Sequence, residues 1–215
     1  MTVSRAQRVV IVALTLLVPA RSGAQGVQVG GGFGRTLPVG TYHADPSGEG
    51  FNGGWQGGVL AAFPLPLLRG RLAGRLDVAY GSNAGNDQLT ADLSTRVGQP
   101  TSEETKLVGG TLDLVYSPRL LARLHPYVLG GAGLYHVTIT LTSITNLAPG
   151  GFFSAPVASD NTGTELAWNL GAGVTYRFSV VALFLEMRYS RVAGLSGFPG
   201  MTFVPLTLGF RFEGQ

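Results

Sequence analysis

The tightest constraint on this chain is a period of two. Between Gly26 and Phe212, eight short segments place apolar or aromatic residues on one parity and small or polar residues on the other. Successive side chains of a strand point to opposite faces, so each segment describes a strand with one greasy and one wetter side. Past the first 25 residues no apolar run approaches the length that a membrane-crossing helix needs, about 20 residues. The segments are Gly26 to Arg35, Gly54 to Phe63, Arg71 to Tyr80, Leu107 to Tyr116, Pro126 to Leu141, Thr164 to Arg177, Val181 to Ser190 and Met201 to Phe212. Arg71 to Tyr80 is the cleanest, setting Leu72, Leu76, Val78 and Tyr80 against Arg75 and Asp77.

Two architectures use such strands. A soluble sandwich buries the greasy face against a second sheet, whereas a transmembrane barrel turns it to lipid and keeps the small, polar face inside. The links between strands distinguish them. Counting from strand one they run long, short, long, short, long, very short, long, with Pro64 and Pro66 in the first short link and Phe178 and Ser179 forming the shortest. Transmembrane barrels have this asymmetry, with short periplasmic turns and longer extracellular loops. The long polar stretch from Gly81 to Thr105 has two readings, a mobile loop or strands carried on beyond the membrane.

Aromatic placement is an independent check, because barrels concentrate aromatic residues at both membrane interfaces. With the first strand running outward, Phe33, Trp55, Tyr80, Trp168 and Tyr189 fall at the extracellular ends of the greasy parity. Phe63, Tyr116, Tyr127, Tyr176 and Phe212 fall at its periplasmic ends. On this reading Tyr127 faces lipid, while Gly130, Ala132, His136 and Thr138 face the lumen. Closure follows from energetics: unpaired backbone groups in lipid cost several kcal/mol each, so strand one must pair with strand eight. Pro205 removes a ladder donor in that last strand, and a bulge near the rim would accommodate it.

The N-terminus predicts export. Arg5 and Arg8 precede the apolar run Val9 to Val18, followed by Pro19 and Ser22-Gly23-Ala24, the order of a secretory signal peptide. Residues 1–24 are expected to be the signal and 25–215 one barrel domain. Arg5, Arg8 and Arg21 leave with it, so twelve basic residues face twelve acidic ones in the mature chain. Neutral balance without a basic, aromatic-interleaved stripe excludes a nucleic-acid partner. The absence of cysteine excludes disulfides, thiolate metal sites and a thiol nucleophile.

Four stretches carry a family resemblance: P-Y-V-L-G-G-A-G-L-Y from Pro126, W-N-L-G-A-G-V-T-Y-R-F from Trp168, L-F-L-E-M-R-Y from Leu183 and P-L-T-L-G-F-R-F from Pro205. In them the chain resembles the small outer-membrane β-barrels of the OmpX, OmpA-domain and opacity-protein type. The resemblance implies an all-β, eight-stranded, antiparallel, up-and-down barrel in the outer membrane. It also implies contact with outer-membrane lipid and lipopolysaccharide, and delivery by the barrel-assembly machinery through a C-terminal aromatic signal, here followed by Glu213, Gly214 and Gln215.

The residues with chemical potential are the lumenal charges Arg75, Asp77, Asp113, Glu186 and Arg188. An eight-stranded barrel is filled by side chains, so these are expected to pair into a structural plug. No catalytic, cofactor-binding or metal-ligating residue is identified: His43, His125 and His136 are isolated, and no H-E-x-x-H, G-x-S-x-G or P-loop pattern occurs. His136-Val137-Thr138 lacks the serine and asparagine of lipid A deacylases. The expected function is a non-enzymatic envelope protein displaying four extracellular loops to a partner the sequence does not name. The alternatives are a lipid A-modifying enzyme, a narrow solute channel and a soluble, lipocalin-like binder.

Overall fold

The computed structural model describes residues 26–68, 70–118, 123–146, 154–194 and 200–213. The expected signal peptide lies outside them. Eight strands form a closed antiparallel barrel in which each pairs with its sequence neighbours: β1 (Gln28–Pro38), β2 (Gly54–Leu65), β3 (Leu72–Ala84), β4 (Thr101–Tyr116), β5 (Leu124–Asn146), β6 (Ser154–Arg177), β7 (Val181–Val192) and β8 (Met201–Glu213). Closure is made as energetics demands, by β1 against β8 from Gln28↔Glu213 to Pro38↔Phe203.

Pro205 is accommodated differently from expectation. The β7–β8 ladder lapses between Met187↔Leu206 and Ser190↔Phe203, yet the register is the same on both sides, so no residue is inserted. A missing donor needs only a gap in pairing; a bulge is one solution among others.

The strands outrun their apolar cores. All four links expected to be long contract, the one between β5 and β6 most of all, to 147–153, because the strands continue past their predicted ends. β5 and β6 reach 23 and 24 residues, against about 10 needed to cross a membrane. β6 pairs with β7 only from Ala167, whereas β5 pairs with β6 to Asn146↔Ser154 and with β4 to Thr101↔Ser143. A tongue of β4, β5 and β6 therefore stands beyond the barrel wall.

The polar stretch after β3 resolves into both strand extension and a helix. β3 runs to Ala84, β4 starts at Thr101, and α1 (Asp87–Val97) lies between. The Asn86 side chain caps α1 by accepting from the Leu89 amide at 2.8 Å, and Gly98 ends it at φ 73°, a left-handed conformation that glycine adopts without cost. An i,i+4 ion pair between Asp92 and Arg96 supports its exposed side. Leu89 packs against the buried cluster that includes Tyr42 and Phe51 of the β1–β2 link, whose rings lie 4.9 Å apart.

The outer wall is apolar. Leu76, Leu112, Leu114, Leu134, Leu166, Leu170, Leu185 and Leu208 are all exposed there. Monomeric soluble proteins rarely expose an apolar patch beyond a few hundred Å², which makes this wall a lipid-facing surface.

Candidate functional site

The barrel axis carries three layers, beginning at the end with the short turns. That end opens into a cavity of about 120 Å³ whose lining includes Arg71, Arg75, Arg177 and Arg211. Above it comes the charged lattice, and above that an apolar stopper in which Leu107, Val137, Val192, Met201 and Phe203 pack beneath Tyr42 and Phe51.

The structure brings all five predicted charges together. Asp113 on β4 sits opposite Arg75 on β3 in the Arg75↔Asp113 register, and Glu186 and Arg188 enter from β7 across the lumen. Arg75 forks onto Glu186, Nη1 donating to Oε2 at 2.6 Å and Nη2 to Oε1 at 3.3 Å. It also donates from Nη2 and Nε to Asp77 Oδ1 at 2.7 and 3.1 Å. Arg188 donates from Nε to Glu186 Oε1 at 2.6 Å and from Nη1 to Asp113 Oδ2 at 2.9 Å, with Nη2 3.2 Å from Asp77 Oδ1. Asn169 Nδ2 donates to Asp113 Oδ1 at 2.9 Å. Each arginine thus bridges at least two carboxylates, which compensates charges that would be costly alone in this interior. The guanidinium of Arg75 also stands 5.6 Å from the Phe184 ring centroid.

Tyr127 belongs to this lattice, which corrects the sequence reading. Its hydroxyl donates to Glu186 Oε2 at 2.7 Å and the residue is only 4% exposed. The whole of β5 is inverted relative to expectation. Register makes this necessary: antiparallel partners share a face, and Gly131 pairs with Asp113 on one side and Asn169 on the other, both buried inside. Tyr127, Leu129, Gly131, Tyr135 and Val137 therefore point inward, and Val128, Ala132, Leu134 and His136 outward. A Cβ at Gly131 would collide with Asp113 Oδ1, so the glycine makes room for the lattice. His136 is exposed, its Nδ1 3.2 Å from Thr164 Oγ1, instead of filling the lumen.

The misreading arose because both parities of β5 are apolar, and a narrow lumen needs greasy filling as much as lipid does. Register supplied what hydrophobicity could not: two tyrosines and a glycine pair on one parity, opposite a strand carrying Asp113.

The other nine aromatic residues expected at the interfaces lie on the outer parity. Phe33, Trp55 and Tyr80 run across β1, β2 and β3 at one level, with ring centroids 5.9 and 5.3 Å apart. Trp168 and Tyr189 lie 5.6 Å apart toward the same end of β6 and β7. At the other end stand Phe63, Tyr116, Tyr176 packed on Phe178 at 4.9 Å, and Phe212 packed on Phe210 at 5.6 Å.

Beyond the wall, the β1–β2 link folds on Asp45, whose Oδ1 accepts from the Ser47 hydroxyl at 2.6 Å and from the amides of Ser47 and Glu49 at 2.8 and 3.1 Å. The Ser47 hydroxyl, foremost among these donors, holds the Asp45 carboxyl below its ordinary pKa. Burial pushes the Tyr42 hydroxyl well above the ordinary phenol range. Among the described residues no group of three His, Asp or Glu side chains could hold a metal ion.

With this geometry in place, comparison with solved structures is informative about the fold. A major outer membrane protein from Thermus thermophilus superposes with a TM-score of 0.54, covering 89% of this chain and 100% of that one at 16% identity. Neisserial surface protein A gives 0.49 over 89% and 97% at 16% identity, and Ail, the attachment invasion locus protein of Yersinia pestis, gives 0.47 over 87% and 99% at 14%. No family model matches the chain, and no curated protein matches it by sequence. At such identities the likeness speaks to architecture, and the Thermus barrel carries it. The chain folds as a small, closed, eight-stranded antiparallel barrel, the architecture it shares with the Thermus outer membrane protein.

Proposed function

We propose that the protein is a non-enzymatic barrel of the cell outer membrane. Its periplasmic turns are short, and the links at its other end are displayed on the cell surface for envelope integrity or surface contact. The observation that carries this reading is the filled lumen inside an apolar wall: an ion-paired lattice followed by an apolar stopper. Such an interior favours a scaffold over a conduit, since the lumen of an eight-stranded barrel filled by side chains is too narrow for a wide pore. The two aromatic levels act as interface girdles, with Phe33, Trp55, Tyr80, Trp168 and Tyr189 at the outer leaflet and Phe63, Tyr116, Tyr176 and Phe212 at the inner. Outer-membrane lipid and lipopolysaccharide surround the wall, and the barrel-assembly machinery inserts it after residues 1–24 are removed as a signal peptide. Specificity resides in the loops, where function concentrates on rigid scaffolds: the tongue of β4 to β6, and α1 with the Tyr42 to Phe51 link.

The test combines location and activity. Full-length protein expressed in a Gram-negative host should fractionate with the outer membrane and migrate as a compact species until boiled. Refolded barrel incubated with labelled lipopolysaccharide should leave the acyl-chain mass unchanged and should not conduct in planar bilayers. Recovery in the soluble periplasm would overturn the membrane reading, and a change in acyl mass would replace it with lipid A chemistry.

A further inference from the structure

The acids and bases of this chain are segregated along the barrel axis. Among the described residues, the links and strand ends on the short-turn side carry Arg71, Arg123, Arg177 and Arg211, with Glu213 as the one acidic residue in that part of the sequence. The opposite end carries Asp45, Glu49, Asp87, Asp92, Glu103, Glu104, Asp160 and Glu165 against Arg35, Arg96, Lys106 and Arg191. A mature chain of zero formal charge is therefore strongly polar from end to end.

At the cationic end this excess converges on a concave site. The 120 Å³ cavity is lined by Arg71 from the turn just before β3, Arg177 from the end of β6, Arg211 from β8 and Arg75 from the lattice above. Gln28 and Ser117 add neutral polar groups, and among the described lining residues none carries a carboxylate. The volume exceeds the roughly 30 Å³ share of one water and suits a tetrahedral oxyanion with some hydration. Guanidinium groups from separate strands present flat forks of donors, the geometry that grips two oxygens of a phosphoryl group at once. Arg75, which lines the inner side of the cavity, is held in place by its ion pairs to Glu186 and Asp77.

From this convergence we infer that the arginine-lined mouth is a binding site for a phosphoryl oxyanion, supplied as a free phosphate or as the headgroup of an anionic phospholipid at the rim. The site rests on the barrel and its charge distribution, and holds whichever compartment this end faces. It is separate from the loops to which surface contact was assigned.

The test uses refolded full-length barrel in octyl glucoside, a detergent without phosphate. Calorimetric titration with inorganic phosphate at constant ionic strength should show saturable binding. It should weaken at least tenfold in Arg71→Gln/Arg177→Gln and stay unchanged in Arg96→Gln, which alters the opposite end. In the lipid arm, native mass spectrometry should show phosphatidylglycerol retained over phosphatidylcholine by the wild type, with that preference lost in the double variant. Either arm alone supports the site and identifies its source. Arg71→Gln, in the exposed turn just before β3, provides the single-variant reading should the double variant fail the heat-modifiable migration control. Equal affinity in wild type and both variants, with no lipid preference, would overturn the proposal. Outer-membrane fractionation and the acyl-mass assay are indifferent to all these variants, so failure here is distinguishable from failure of the scaffold reading.

Discussion

The two layers that fill the lumen solve the same problem with opposite chemistry. The lattice uses Arg75, Asp77, Asp113, Glu186 and Arg188, tied into one hydrogen-bonded body across β3, β4 and β7. The stopper uses Met201, Phe203, Val137, Leu107 and Val192, each no more than 2% exposed, closed over by Tyr42 and Phe51. A lattice is vulnerable to the loss of one member, since what remains is a buried charge without its partner. A stopper loses contact area in proportion to what is removed. The layers should therefore fail differently, and that difference is measurable.

The largest effect is expected from Arg188→Ala. It deprives Glu186, Asp113 and Asp77 of a shared guanidinium, and breaking a buried ion pair costs about 3–5 kcal/mol. Urea unfolding of the barrel in bilayers measures it. The double variant Arg188→Ala/Asp113→Ala should recover part of the loss, because one stranded carboxylate is gone. If the single variant unfolded like the wild type while bilayer conductance rose sharply, the lattice would be a gate in an ion path instead of a structural plug.

Phe203→Ala probes the other layer and should cost about 3 kcal/mol, the transfer and cavity terms of a large buried ring. No second-site deletion should restore it, since there is no stranded charge to remove. Recovery through Tyr135→Ala, which removes the ring 6.1 Å away, would contradict the distinction between layers.

The contrast also explains how much of the molecule is legible in its sequence. Where a strand puts charge on one parity and leucine on the other, as β3 does with Arg75 and Asp77 and β7 with Glu186 and Arg188, its orientation is written in composition alone. The lattice members can be named from that alternation. β5 crosses the apolar layer as well as the charged one, so its lumenal residues are as greasy as its lipid-facing ones, and only pairing with β4 and β6 decides which way it faces. α1 escapes a reading by period two for another reason. Its signals are the Asn86 cap and the Gly98 stop, short-range features that carry no alternation.

Tyr127→Phe against Tyr189→Phe sharpens the β5 assignment at smaller cost. The first removes a hydroxyl bound to a buried carboxylate and should destabilise by about 2 kcal/mol. The second alters a ring on the outer wall and should stay within about 0.5 kcal/mol. Equal effects would return Tyr127 to the membrane interface.

The smallest effect lies outside both layers and isolates a loop from the barrel. Asp45 accepts three hydrogen bonds that are stronger to its ionised form, with the Ser47 hydroxyl first among them, and its folded pKa is consequently depressed. A depressed folded pKa means the turn's contribution is complete above the unfolded value of about 3.9, and is lost as pH falls through the lower, folded one. Amide shifts of Ser47 and Glu49 should therefore hold steady from neutral pH down to about 4 and move together below it. In Asp45→Ala they should sit at the low-pH position throughout, while the barrel's unfolding midpoint does not change. A midpoint that followed Asp45 would mean that the loop and the stopper beneath Tyr42 and Phe51 unfold as one unit, and the apolar layer would then extend beyond the barrel wall.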